Sequence, residues 1–143
     1  MKTTTNYLTI AFMAFFILFT GCSKDDDLLN ENDSEKTAES LLGKWHLVKI
    51  VEQETPGSTE THPAENGEYI EFKSGGKGRM LEEEDDEWDF TWKVQGKKII
   101  IDNEDEVIIV KLTKQELEFK DEGTYQDQDG KTIKYVTTWY LKK

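Results

Sequence analysis

Between residues 88 and 94 the chain alternates strictly. Trp88, Phe90, Trp92 and Val94 fall on one side, and Asp89, Thr91 and Lys93 on the other. A period of two belongs to a strand with one face buried and one in water. Ile70 and Phe72 alternate with Glu71 and Lys73 in the same way, and Leu117 and Phe119 share a face further on. The pattern predicts strands over 43–53, 68–74, 77–83, 88–94, 98–102, 107–112, 116–120 and 132–142. Turn residues separate them: Gly75-Gly76, Gln95-Gly96, Asn103-Glu104-Asp105 and Asp127-Gln128-Asp129-Gly130. In the first strand Trp45 and Leu47 share a face, and the apolar Val48 and Ile50 imply a bulge or burial on both sides. Residues 54–67 hold both prolines and two glycines, and read as the longest loop. No stretch after residue 22 carries a helical period, and there is no internal repeat.

Eight short strands joined mostly by tight turns make every sequential neighbour antiparallel. Eight is also a number at which a meander can close on itself and remove its exposed edges. The expectation is an all-β domain over residues 41–143: an eight-stranded antiparallel up-and-down β-barrel.

The beginning of the chain has a different pattern. Lys2 precedes an apolar run from about Tyr7 to Thr20, close to the ~7–15 residues of a signal h-region and short of the ~20 that a spanning helix requires. Residues 1–21 therefore read as a signal peptide. Phe19-Thr20-Gly21-Cys22 resembles a lipobox, in which Cys22 becomes the acylated N-terminus; ordinary cleavage leaving a free thiol is the alternative. Cys22 is the single cysteine, so the exported chain has no internal disulfide and must hold by packing and hydrogen bonding. Residues 22–40 then read as the lipidated cysteine and an acidic, disordered tether. Within it, Ser23-Lys24-Asp25-Asp26-Asp27 is similar to the surface-export signal of some Gram-negative lipoproteins, or is a solvated linker. These features place the expected protein in the envelope of a Gram-negative bacterium, lipid-anchored at the outer membrane and in reach of its surface.

The opening of the first strand, Gly43-Lys44-Trp45, resembles the first strand of the lipocalin-like family of small up-and-down barrels. The resemblance implies that Gly43 lets the chain bend into the barrel floor and that Trp45 plugs the closed end. It also implies a non-enzymatic binding protein. The chain departs from the larger lipocalins in lacking their Thr-Asp-Tyr loop motif and the Arg that closes over the first-strand Trp; Lys142 or Lys143 is placed to substitute for that Arg.

Charge and candidate chemistry narrow the reading further. Asp and Glu number 30 against 18 Lys and Arg, a formal charge of −12, which disfavours nucleic acid and anionic lipid surfaces as partners. No His-Glu-x-x-His, nucleophile-elbow or phosphate-loop pattern is present, so no catalytic or metal site and no cofactor is expected. His46 should lie on the barrel wall and His62 in the long loop. The run Glu82–Glu87 with Asp89 reads either as a Ca²⁺ site or as a solvated hairpin tip, and Asp127-Gln128-Asp129-Gly130 as a turn. The aromatic face is the main functional lead: Phe72, Trp88, Phe90, Trp92, Phe119, Tyr135 and Trp139 either line a cavity for a small hydrophobic ligand or fill the barrel. A filled barrel would instead make the protein an interaction module with an envelope protein as partner.

Overall fold

The computed structural model describes residues 33–65, 67–82 and 86–143. It begins with a short helix, α1 (Ser34–Leu41), followed by nine strands: β1 (Gly43–Thr55), β2 (Thr59–Pro63), β3 (Tyr69–Lys73), β4 (Lys77–Glu82), β5 (Asp86–Gln95), β6 (Lys98–Ile101), β7 (Asp105–Leu112), β8 (Glu116–Gln126) and β9 (Thr132–Lys142). β1 pairs with β3 on one edge and with β9 on the other, both antiparallel, so β1 and β3–β9 close an eight-stranded barrel. The expected all-β barrel is the observed one, with an additional strand.

That strand, β2, corrects the reading of 54–67 as one loop. Only the first part of β1 pairs with β3, at Gly43–His46. From Lys49 to Gln53 the same edge of β1 pairs with β2, while its other edge stays on β9 as far as Thr55. All five residues of β2 are exposed. The backbone ladder holds it in place with no buried face, and a strand of that kind has no hydrophobic alternation to read. β8 and β9 run on beside the upper half of β1, so β2, β1, β9 and β8 rise as a flap on one side of the barrel mouth.

The helix is the second correction. Residues 34–40 were expected to belong to a disordered tether. Asp33 caps α1, its carboxylate accepting the Lys36 backbone N–H at 3.2 Å, and Thr37 and Leu41 are fully buried. Eight residues are too few to be stable alone, so α1 owes its existence to packing on the barrel's end. The signal segment, Cys22 and the acidic run after it lie outside the described residues.

Two register shifts set which side chains enter the barrel. One falls between Leu47 and Lys49, the other between Ile109 and Lys111. Each places a valine, Val48 or Val110, on the exposed exterior and returns the following residues to alternation. Below the mouth the interior is packed solid. Phe72 meets Phe90 and Trp92 edge-on at centroid distances of 6.0 and 5.0 Å, with Ile99, Ile109, Leu112 and Leu117 completing the core. Gly78 faces Phe90 across the β4–β5 pair, and a Cβ there would lie 2.2 Å from the ring.

Candidate functional site: the barrel mouth

The strands order the interior by height. Across β1, β9 and β8 the register gives successive rows: Leu47–Leu141–Leu117, then Ile50–Trp139–Phe119, then Glu52–Thr137–Asp121, then Glu54–Tyr135–Gly123. The lower rows are apolar and the upper rows are carboxylates and hydroxyls.

At the lower end, α1 and β1 build a plug. Trp45 is fully buried, and its indole N–H donates to the Leu41 carbonyl at 2.7 Å, one of the carbonyls the end of α1 leaves without a helical partner. The last residue of the chain covers the ring. Lys143 Nζ lies 4.3 Å from the ring centroid of Trp45 and donates to the Leu42 carbonyl at 2.9 Å. Burial holds the Lys143 ammonium below its ordinary pKa. Gly43, at φ +112°, turns the chain from α1 into β1 in a conformation that side chains resist, and a Cβ there would sit 3.5 Å from Lys143 Cε. Of the two lysines considered for this place, Lys143 is over the ring. Lys142 lies on β9 opposite Glu116 and His46.

At the upper end the packing stops and a cavity of about 400 Å³ remains. Its walls are Ile50, Ile70, Met80, Ile101, Val107, Phe119 and Trp139, and its rim includes Glu52, Glu68, Glu82 and Thr137. Phe119 and Trp139 stack at 5.3 Å and form one wall. Above them Tyr135 covers Gly123 and donates to Asp121 at 3.2 Å, while Tyr125 donates to Glu54 at 2.7 Å. Those hydrogen bonds to carboxylates push both phenols above their ordinary pKa. His62 Nε2 sits 3.6 Å from the Glu52 carboxylate on the inner side of the flap.

Of the seven aromatic residues expected at the cavity, two line it: Phe119 and Trp139. Phe72, Phe90 and Trp92 fill the lower barrel. Trp88 shares their inward face but stands at the top of β5, 38% exposed, and Tyr135 sits one row above the apolar walls. The walls that sequence reasoning missed are aliphatic: Ile50, Ile70, Met80, Ile101 and Val107. Period two assigned these residues a face and no height, and height decides between filling and lining. Glu54 lies beyond the expected end of the first strand at residue 53, and Glu52, inside that strand, is a carboxylate on the inward face, which alternation reads as an exposed position.

The remaining candidates fall outside this cavity. His46 is exposed on the wall beside Tyr69, and His62 belongs to β2, not to a loop. Glu82 and Asp86 pair as the base of a hairpin whose tip, residues 83–85, lies outside the described residues. Glu87 and Asp89 are held on the exterior by Arg79, at 3.1 and 2.7 Å, and Glu87 also accepts from the Tyr69 hydroxyl. Asp127 closes its turn by accepting the Asp129 and Lys131 N–H groups. No group of three or more potential metal ligands occurs among the described residues. A second, more open crevice of about 480 Å³ lies at the lower end, between α1 and the β3–β4 turn.

A closed eight-stranded meander, plugged at one end by the Trp of a Gly-x-Trp opening and hollow at the other, is the form of a binding cup. The model of the lipocalin-like domain family matches residues 41–119, more than half of the chain, from the end of α1 into β8. The chain belongs to the lipocalin-like domain family. No curated protein and no solved structure matches it. The lipocalin-like fold makes this a protein of binding type, and the matched span carries Gly43, Trp45 and most of the cavity wall.

Proposed function

We propose that this lipocalin-like protein is a non-enzymatic, envelope-anchored lipoprotein that holds a small hydrophobic ligand in the mouth of its barrel. The observation that carries the ligand-binding reading is the cavity of about 400 Å³ with aliphatic and aromatic walls. That size is within the ~300–1,000 Å³ typical of small-molecule sites. The anchoring part rests on the sequence of residues 1–22 alone: an apolar segment of signal length followed by a single cysteine in lipobox surroundings. Acyl chains, at ~0.8 kcal/mol per buried CH₂, would keep Cys22 at the membrane, and the outer membrane of a Gram-negative envelope is the location we propose.

A neutral apolar probe tests the binding role. Octanol should quench or shift the fluorescence of Trp139 saturably and raise the melting temperature, by about 2.7 kcal/mol of stabilisation at a hundredfold excess over Kd. Strictly linear, non-saturating quenching with an unchanged melting temperature would refute it. One observation favours an interaction role instead: β2 is exposed along its whole length and forms an edge of the flap. An envelope protein bound there would be lost in Thr59→Lys/Thr61→Lys, which changes the exposed β2 residues paired with Gln53 and Val51, with octanol binding retained.

A further inference from the structure

The cavity changes character between wall and rim, and that change restricts the ligand's head group. Below, the surface is aliphatic and aromatic. At the opening, Glu52 from β1, Glu68 from the segment before β3 and Glu82 from the end of β4 line the same cavity, and no Lys, Arg or His is among its described lining residues. Glu68 is oriented by the Glu65 backbone N–H at 2.8 Å. Asp121, in the row of Glu52, and Glu54, one row higher, accept from tyrosine hydroxyls. Amide and hydroxyl donors position a carboxylate without cancelling its charge. The basic group at this rim is His62, whose Nε2 lies 3.6 Å from the Glu52 carboxylate and 3.9 Å from that of Glu60 on the flap. Carboxylates around a mouth with low-dielectric walls focus a negative potential into it, which repels an anionic head and attracts a cationic one. The chain's formal charge of −12 acts in the same direction.

We infer that the cavity takes a cationic amphiphile, its alkyl tail among Ile50, Met80, Phe119 and Trp139 and its ammonium head at Glu52 and Glu68. The inference rests on the ligand-binding reading of the same cavity and adds the sign of the head group. The volume suits a single short chain and not a diacyl lipid, and the acidic mouth selects against fatty acids.

The test uses the chain from residue 22 onward with Cys22→Ser, which keeps every described residue. It is titrated at low salt with octyltrimethylammonium, octyl sulfate and octanol, followed by tryptophan fluorescence. The cation should bind at least ~10-fold more tightly than the anion, a difference of about 1.4 kcal/mol. The preference should shrink in high salt and in Glu52→Gln/Glu68→Gln. If octanol binds while octyl sulfate matches the cation, the head-group inference is overturned and the hydrophobic-ligand reading stands. If none of the three binds saturably, both are overturned. A cation preference undiminished in the double variant would overturn the assignment to this rim.

Discussion

Replacing Trp45 by Ala removes the largest side chain of the barrel floor, and the structure allows its cost to be built up. The residue is fully buried, and a large aromatic truncated in a core costs about 3–5 kcal/mol in lost transfer energy and residual cavity. The Leu41 carbonyl loses the indole N–H that satisfies it at 2.7 Å; left unpaired in a buried setting, it adds about 1–3 kcal/mol. The Lys143 ammonium loses the ring beneath it, worth about 0.5–2 kcal/mol. These contributions overlap, so an expected loss of about 4–7 kcal/mol is set against a total stability of about 5–15 kcal/mol for a domain of this size. The assay is urea unfolding of residues 33–143. With a slope of about 1–3 kcal/mol per molar, the midpoint should fall by more than about 1 M, or the variant should be unfolded at the outset. Trp45→Phe keeps most of the packing and loses the donor, so it should cost about 1–3 kcal/mol. Lys143→Met removes the cation and leaves the ring covered, at about 0.5–2 kcal/mol. A loss below about 1 kcal/mol for Trp45→Ala would show that the ring does not hold the floor, and the plug argument would fail with it.

Two further outcomes rest on the same geometry and a third on the sequence around Cys22. Gly78→Val forces a side chain into the Phe90 ring, where even a Cβ would lie at 2.2 Å, and should lower stability by about 1–3 kcal/mol or more in the same urea assay. Tyr69, Tyr125 and Tyr135 donate to carboxylates and have raised pKa values, so their phenolate absorbance should develop above the ordinary tyrosine range near pH 10. Because the folded values are raised, the stability linked to these groups is fully present below the unfolded pKa and is lost as pH rises through the folded ones; ordinary titration of these three tyrosines in the native state would contradict the hydrogen bonds. Cys22→Ser should leave soluble protein or uncleaved precursor after cell fractionation, and unchanged membrane retention of a processed chain would sink the lipid-anchor proposal.

What the amino-acid sequence determined by itself was the face of each strand and the closure of the barrel. Inward and outward alternate with period two, so Phe90, Trp92 and Val94, or Leu117 and Phe119, declare one shared side whatever surrounds them. Turn residues at short intervals then leave antiparallel pairing as the only economical arrangement, and the Gly43-x-Trp45 opening marks where the floor begins. Three features waited for the tertiary structure. β2 is polar and exposed throughout, held by a backbone ladder to β1, and main-chain hydrogen bonds are indifferent to side-chain pattern. α1 is one short helix with a polar exterior, made stable by burying Thr37 and Leu41 against a barrel end that exists only after folding. The division between filled floor and hollow mouth depends on register, and the shifts at Val48 and Val110 reset it. Alternation says that Phe72 and Phe119 both point inward. Their height along the barrel, which makes one of them core and the other a cavity wall, is a sum over strand offsets that no local stretch of the chain contains.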